Sequence, residues 1–293
     1  MNVLVTGANG FVGRNLTPAL VEAGHRVTAL VRDASAYDGP DGVRVVEGDL
    51  LDEASLKGDF EGIDAAYYLV HSLKAGEAFA ERDRTAARTF AVVAGYAGVD
   101  RVIYLGGLGE TGSDLSEHLR SRQEVESILR DGTFELTTLR AAIIIGEGSS
   151  SFTMIRQLAG RLPIMVTPRW VRTKCQPIAI SDVVAYLAGV LEIPATAGNT
   201  YEIGGPEVLT YEEMIRRTAA HLGNRILIIP VPVLSLTLSV YWVDLVTNIP
   251  KHVAHPLIYG MRNPVVVTDN RIRDHLPIEL TPFDEAVERA LAE

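Results

Sequence analysis

Positive charge is scarce in this sequence, and the shortage excludes several classes of partner. Against 37 aspartates and glutamates the chain has 27 lysines and arginines, so its formal net charge is −10. Such a surplus of acid is unsuited to a nucleic-acid surface and, taken over the whole molecule, to an anionic membrane, although a local patch can differ. We therefore expect a protein with no nucleic-acid partner.

Cysteine is nearly absent, because Cys175 is the only one among 293 residues. No intrachain disulfide can form, which fits a reducing, cytoplasmic setting. Lys174 precedes the thiol and could lower its pKa, but a cysteine without matched catalytic partners is more often inert. The sequence begins directly with a strand pattern, so no signal peptide is expected.

A long uninterrupted apolar run is also missing. The most apolar stretch, residues 226–249, is broken by Pro230 and Pro232 and carries Asp244, so it does not predict a transmembrane segment. We interpret it as a buried helix of a substrate lobe and, as a sharper hypothesis, as the wall of an apolar cavity. The residues proposed for that wall are Leu234, Leu238, Tyr241, Trp242 and Leu245.

A glycine pattern at the N-terminus is the clearest functional signal that is present. The apolar residues 3–5 predict a buried strand, after which glycines recur at positions 7, 10 and 13 and a helix begins. This spacing supplies a tight turn, a close backbone approach to a phosphate, and close packing of helix on strand. Because a helix N-terminus favours anions, the pattern predicts a dinucleotide pyrophosphate site. Its candidate contacts are Thr6, Gly7, Asn9, Gly10, Phe11, Val12 and Gly13.

The end of the second predicted strand, residues 25–31, bears on which dinucleotide binds. This position meets the adenosine ribose in a strand–helix–strand nucleotide fold. Arg32 follows the strand and can bind a 2′-phosphate bidentately, so the sequence favours NADP, with NAD as the second choice. Asp33 keeps the alternative open, because its carboxylate could bind the ribose hydroxyls or simply neutralise Arg32.

Two later strand ends supply further candidate contacts. Asp49 and Leu50 follow the predicted strand 43–47, where a carboxylate and an apolar wall could hold the adenine edge. Alternatively, Asp49 only caps the next predicted helix, residues 52–57. Val70 and His71 end the fourth predicted strand. Since the carboxyl ends of parallel strands face the ligand crevice, His71 is a candidate contact for the cofactor ribose or the substrate.

Six predicted strands alternate with helices up to residue 148, the sixth covering residues 137–145. This alternation predicts an α/β fold built on a doubly wound parallel Rossmann sheet. From residue 149 to residue 293 the alternation breaks, and we predict a smaller C-terminal substrate-binding lobe. Within it, residues 176–192 are expected to return to the dinucleotide-binding core.

Motifs spread over most of the chain support a family resemblance. They are Thr6-Gly-x-x-Gly-x-x-Gly13, Gly48-Asp-Leu50, Asp83 with Ala86-Ala87, Gly98-Val-Asp-Arg-Val-Ile-Tyr-Leu105, Leu139-Arg140, Ile180-Ser-Asp-Val-Val184 and Tyr201-Glu-Ile-Gly-Gly205. The sequence resembles the atypical and extended short-chain dehydrogenases/reductases, in pattern closest to the NmrA-like group and the reductase-like accessory subunit of respiratory complex I. The resemblance implies a Rossmann fold and a nicotinamide dinucleotide.

The sequence departs from this family at the catalytic set. The resemblance implies a serine, a tyrosine that exchanges a proton with the substrate, and a lysine that lowers the pKa of the tyrosine. Here Gly106-Gly107 occupies the serine region, His118 stands at the tyrosine position and Arg122 replaces the lysine, whereas Glu126 keeps the later acidic position. Arg122 could still hold a ribose hydroxyl, and His118 could supply a proton near neutral pH or lie unused on the helix surface.

Two main functional hypotheses follow. The first is an NADP(H)-dependent oxidoreductase that acts on a lipophilic carbonyl, enone or quinone, with a proton from His118, His71 or water. The second is a non-catalytic NAD(P)H-binding sensor or structural protein with a protein partner, as NmrA-like proteins suggest. A nucleotide-sugar epimerase or dehydratase is a weaker third reading, because that chemistry relies on the missing tyrosine. No metal is expected, since no acidic or cysteine cluster accompanies His252 and His255.

Overall fold

The computed structural model describes residues 1–56, 58–72, 78–109, 117–161, 164–167, 169–230, 259 and 263–292. In chain order its strands and helices are β1 (Asn2–Thr6), α1 (Phe11–Glu22), β2 (Arg26–Val31), β3 (Arg44–Glu47), β4 (Ala65–Tyr68), α2 (Phe79–Tyr96), β5 (Arg101–Gly107), α3 (Glu117–Arg130), β6 (Glu135–Ala141), β7 (Ile144–Ile145), α4 (Ser150–Arg161), β8 (Ile164–Thr167), β9 (Lys174–Cys175), β10 (Ile178–Ala179), α5 (Ile180–Glu192), β11 (Thr200–Ile203), β12 (Leu209–Thr210), α6 (Tyr211–His221), β13 (Leu227–Pro230), α7 (Ile272–His275) and α8 (Phe283–Ala292).

Seven of these strands form one parallel sheet in the order β11-β6-β5-β4-β1-β2-β3. The central strands are apolar and buried on both faces, as a parallel sheet covered by helices on both sides requires. The strand order reverses between β1 and β4, and ligands of such sheets bind beyond the carboxyl ends of the strands at this switch point. The predicted α/β, doubly wound fold is confirmed.

Each face of the sheet is covered by a pair of helices. On one face, α1 and α5 share a core in which Leu16, Leu20 and Val183 are buried. On the other face, α2 and α3 share a second core around Phe90 and Leu129. The sheet is therefore held from both sides, and its carboxyl edge is left to the loops that follow β1 and β4.

Two strand predictions need correction. The predicted strand 137–145 ends at Ala141, and Ile144–Ile145 instead forms a separate short strand that pairs in parallel with β10. The main sheet has a seventh strand, β11, which pairs in parallel with β6. The sequence pattern predicts six strands and places this segment in the lobe, because β11 is short and lies far from β6 along the chain. The domain division at residue 148 stays a prediction.

A third apolar cluster lies outside the sheet and joins α4, α6 and α8 through residues such as Phe152, Met214 and Val287. The parallel strand pair β8–β13 contributes Met165 and Ile228 to this cluster. Among the described residues, no helix has the length and apolar character needed to cross a membrane.

Candidate functional site

The turn between β1 and α1 forms a concave backbone surface, the cradle, which side chains at its glycine positions would fill. Gly7 adopts a φ of +69°, in the left-handed region that favours glycine. A Cβ on Gly13 would lie 2.4 Å from the Gly7 carbonyl oxygen, and a Cβ on Gly10 would lie 2.9 Å from the same atom. Helix α1 begins at Phe11, directly after Gly10, and has no acidic residue in its first turn. This geometry fits a pyrophosphate bound at a helix N-terminus.

The other predicted loop residues occupy different positions around the cradle. Thr6 is fully buried, and its hydroxyl donates to the Tyr67 carbonyl at 3.0 Å, so its side chain joins β1 to β4. Asn9 is exposed beside the turn, with its amide nitrogen 3.4 Å from the Ala36 carbonyl. Phe11 and Val12 are half-buried in the first turn of α1.

The loop after β2 separates the roles of Arg32 and Asp33. Arg32 is exposed and makes no ion pair among the described residues. The Asp33 carboxylate accepts hydrogen bonds from the Ser35 amide at 3.0 Å and the Ser35 hydroxyl at 2.6 Å, which lower its pKa. Asp33 therefore caps the following 3-10 turn, Ala34–Ala36. Glu47 closes the same turn by accepting from the Ala34 amide at 3.1 Å.

The segment after β3 is a turn closed by its own side chains. Asp49 accepts a hydrogen bond from the Leu51 amide at 2.9 Å, and its amide donates to the Ser55 hydroxyl at 2.9 Å. Leu50 is buried in the core beneath the sheet. The predicted helix 52–57 is instead the 3-10 turn Glu53–Leu56, because Asp52 and Asp49 satisfy the local backbone amides. Asp49 thus has a capping role, the alternative raised above.

A buried polar cluster lies where β4 ends, next to the glycine turn. Val70 is half-buried against the core, and His71 follows it. Asp83, on α2, is buried with its Oδ2 atom 2.8 Å from the His71 Nδ1 atom. The same carboxylate accepts hydrogen bonds from the Ser72 amide at 2.7 Å and the Ser121 hydroxyl at 3.2 Å. One carboxylate therefore joins the end of β4 to α2 and α3.

The charge states of this cluster follow from its surroundings. Burial lowers the pKa of His71, the positive charge of Arg122 acts in the same direction, and Asp83 opposes both. Burial alone would raise the pKa of Asp83, but hydrogen bonds from His71 and Ser72 outweigh it, and the pKa is lowered. At neutral pH the pair therefore consists of an ionised Asp83 and a neutral His71.

Helix α3 carries the two predicted catalytic positions. The backbone of His118 belongs to the first turn of α3, and its side chain lies outside the described part of the chain. Arg122 is half-buried, with its guanidinium carbon 5.7 Å from the centre of the Tyr104 ring and its carbonyl 3.1 Å from the Tyr104 hydroxyl. A Cβ on Gly107 would lie 3.8 Å from the Arg122 Cγ atom, so Arg122 stands beside the family's serine position.

Two members of the polar cluster, Asp83 and Ser121, were not among the predicted site residues. A signal for Asp83 existed in the sequence, because Ala86 and Ala87 follow it at the three- and four-residue spacing of one helix face. Small residues on that face indicate close packing against the sheet, and a carboxylate in line with them is expected to be buried. Ser121 had no comparable signal, since its burial depends on how α3 docks.

Other sequence predictions fall outside this site. Cys175 is buried in the third apolar cluster, and burial raises the pKa of its thiol to about 11, so it is unsuited to nucleophilic attack. The proposed cavity wall, from Leu234 to Leu245, lies outside the described residues, and so do His252 and His255.

Comparison with known proteins identifies the class to which this fold and site belong. The family described as NAD(P)H-binding matches residues 7–159, which is more than half of the chain. The chain therefore belongs to this NAD(P)H-binding family.

Three relatives illustrate its narrower similarities. A mitochondrial protein of Arabidopsis thaliana named NADH dehydrogenase [ubiquinone] 1 alpha subcomplex subunit 9 is 30% identical over 72% of this chain, and the match spans only 55% of that longer protein. A Streptomyces griseus (4-alkanoyl-5-oxo-2,5-dihydrofuran-3-yl)methyl phosphate reductase is 28% identical over 76% of this chain and 74% of its own length. A Caulobacter vibrioides ceramide reductase is 28% identical over 78% and 73%.

Among solved structures, a nucleoside-diphosphate-sugar epimerase from Staphylococcus aureus superposes with a TM-score of 0.77. The superposition covers 98% of this chain and all of that one, at 16% sequence identity. At this identity the likeness establishes a shared fold and carries no information about the substrate.

Proposed function

We propose that this protein is an NADP(H)-dependent oxidoreductase that reduces a lipophilic carbonyl, enone or quinone without a serine–tyrosine–lysine set. The single observation that carries the proposal is that the two charged residues after β2 have different surroundings. Arg32 is left exposed, while the Asp33 carboxylate is engaged by Ser35. An arginine is then the side chain available at the ribose position, and its guanidinium suits a 2′-phosphate.

The rest of the crevice supports the same assignment. The turn at Gly7, Gly10 and Gly13 would hold the pyrophosphate, and the nicotinamide end would extend towards the polar cluster of His71 and Arg122. When bound, NADPH supplies a hydride. Arg122 would hold a ribose hydroxyl through its guanidinium donors.

His71 is the residue in the described cluster best suited to handle a proton. If the ionised Asp83 accepts the proton of Nδ1, the lone pair of the ring lies on Nε2, so His71 would take up a proton from water at Nε2 and pass that proton to the reduced substrate. Asp83 acts through His71 by fixing this tautomer and the ring orientation, and is thus a positioning residue. His118 and water are the other candidate proton sources.

The lipophilic character of the acceptor rests on two observations. Residues 226–249 are the most apolar part of the sequence. Two relatives are named as reductases, one of a ceramide and the other of an alkanoyl-substituted dihydrofuranone. Because of the apolar segment and the substrates named for these two relatives, we expect this chain to use a hydride acceptor with a long apolar portion.

The first test is a calorimetric titration with NADPH and NADH of the wild type, Arg32→Ala and Arg26→Ala. Loss of charge-assisted hydrogen bonds should weaken NADPH binding to Arg32→Ala by about tenfold to a hundredfold and change NADH binding by less than about twofold. Arg26 is an exposed arginine at the opposite end of the same strand, so Arg26→Ala should match the wild type. Equal NADPH and NADH affinities in the wild type would overturn the cofactor assignment.

Turnover distinguishes the oxidoreductase from the second candidate, a non-catalytic NAD(P)H-binding sensor. The glycines at positions 106 and 107, where the family has its serine, favour that second function. NADPH oxidation that depends on an added quinone or enone supports the enzyme, provided that Arg32→Ala raises the NADPH concentration needed for half-maximal rate. Tight NADPH binding with no acceptor-dependent oxidation would favour the sensor.

A further inference from the structure

The outer face of the β8–β13 strand pair is apolar and open to solvent. The register places Ile164 opposite Leu227, and the two-residue period of a strand puts Ile229 on the same face. These side chains are 57%, 53% and 42% exposed, respectively. On the opposite face, Met165 and Ile228 are buried in the lobe core.

Such a pattern is typical of strands that are covered on both faces. Parallel strands usually form nearly continuous apolar runs because helices or other layers bury them on each side. Here the runs Ile164–Thr167 and Leu227–Pro230 have that composition, and within the described part of the chain one side packs on α4 and α6 while the other side stays exposed. A contiguous exposed apolar surface of this kind marks an interaction site.

The charge around this face differs from that of the rest of the molecule. The chain has a net charge of −10, yet it has no acidic residue between Glu147 and Asp182, or between Glu213 and Asp244. β8 and β13 lie one in each of these acid-free segments. The basic residues in the first segment are Arg156, Arg161, Arg169, Arg172 and Lys174, and those in the second are Arg216, Arg217 and Arg225.

Several of these cations lie at the rim of the apolar face. Arg225 is exposed two residues before β13, and Arg161 is exposed at the end of α4, three residues before β8, so both precede the end where the two parallel strands begin. Arg172 lies five residues after β8 and is 66% exposed, with its Nε atom 3.9 Å from a carboxylate oxygen of Glu212. An apolar centre with arginines at its edge matches the boundary between acyl chains and anionic headgroups.

We propose that the β8–β13 face is a docking surface for an anionic lipid membrane. Ile164, Leu227 and Ile229 enter the headgroup–acyl boundary, and the neighbouring arginines contact the lipid phosphates. The arrangement favours lipid, because an apolar centre bordered by basic residues matches the acyl boundary and the anionic headgroups at the same time. The proposal does not depend on the cofactor or on turnover.

Flotation of the full-length protein with vesicles tests the proposal. Vesicles of phosphatidylcholine and phosphatidylglycerol in equal parts should carry the wild type with them, and phosphatidylcholine vesicles should carry less. The triple variant Ile164→Ser, Leu227→Ser, Ile229→Ser should partition at least about tenfold less, because three apolar side chains leave the interface. Arg225→Glu should weaken binding to the anionic vesicles alone. Val92→Ser, a 43% exposed valine on α2, is the matched control and should bind like the wild type.

Three outcomes would overturn the proposal. They are no flotation of the wild type with anionic vesicles, equal flotation of the triple variant, and a triple variant that changes only the oligomeric state, which would make this face an interface between copies. NADPH affinity and the melting temperature of each variant show whether a loss of flotation is only a loss of folding. Failure of the wild type to bind NADPH would count against the proposed function and would leave the flotation result unaffected.

Discussion

At the scale of single residues, Asp83 and His71 make the environment beyond β4 sensitive to pH. Burial and the charge of Arg122 lower the pKa of His71 from its ordinary value near 6.5. Below that pH the unfolded chain binds a proton that the folded chain does not yet bind. The contribution of His71 to stability is therefore complete above pH 6.5 and is lost as the pH falls from 6.5 to the folded-state pKa.

We expect the free energy of unfolding of the wild type to fall more steeply between pH 7 and pH 5 than that of His71→Asn. Asparagine can still donate one hydrogen bond to Asp83, so at pH 7.5 the two proteins should differ by less than about 1 kcal/mol. Urea denaturation at a series of pH values measures the difference. Asp83→Asn removes the carboxylate that raises the pKa of His71, so the fall in the free energy of unfolding should extend to lower pH. Parallel curves for wild type and His71→Asn would contradict the assignment.

At the scale of elements, Arg101 fixes the end of α5 against the sheet. It is buried at the start of β5, and its guanidinium donates to the carbonyls of Val190 at 2.6 Å and Leu191 at 3.2 Å. These carbonyls belong to the last turn of α5, where the helix has no backbone donors to offer them. The positive charge also complements the negative end of the helix dipole.

Replacing Arg101 with Leu should lower the free energy of unfolding by about 3 kcal/mol, because several buried carbonyls lose a charged donor. Affinity for NADPH should stay within about twofold, because Arg101 lies at the amino edge of the sheet, opposite the crevice. Thermal denaturation and titration of the same sample measure both. Arg26→Leu, an exposed arginine at the same edge, should change stability by less than about 0.5 kcal/mol. A similar loss in both variants would refute the role of Arg101.

At the scale of the whole molecule, the later half of the chain completes the fold of the first half. Helix α5 covers α1, and β11 pairs with β6, although both follow residue 148. The buried side chains that α5 contributes are Val183, Tyr186, Leu187, Val190 and Leu191. At about 2 kcal/mol each, their burial is worth about 10 kcal/mol, which is comparable with the total stability of a domain.

A fragment of residues 1–148 should therefore not fold by itself. Without α5, the apolar residues Leu16 and Leu20 of α1 would be exposed, and β6 would become an open edge. We expect no cooperative urea transition and no NADPH binding, both measured against the full-length chain. A cooperative transition with NADPH binding would instead support an independent domain that ends at residue 148.

How much the sequence could predict depended on how local each signal was. Short patterns predict the glycine turn, the succession of β1 to β6 along the chain and the burial of the central strands. Apolar periodicity and glycine spacing are each recognisable within a few residues. The capping role of Asp49 was visible only as an alternative, and the capping role of Asp33 was not predicted. Deciding it required the positions of neighbouring amides, such as that of Ser35.

By itself, then, the sequence determined the α/β class and the glycine-rich dinucleotide turn, since each is a property of contiguous segments. Only the tertiary structure decided that β11 completes the sheet, that Asp83 joins His71 to Ser121, and that Ile164 and Leu227 share an exposed face. Each of these facts joins residues far apart along the chain. Their pairing is fixed by packing of whole elements, and no local pattern encodes it.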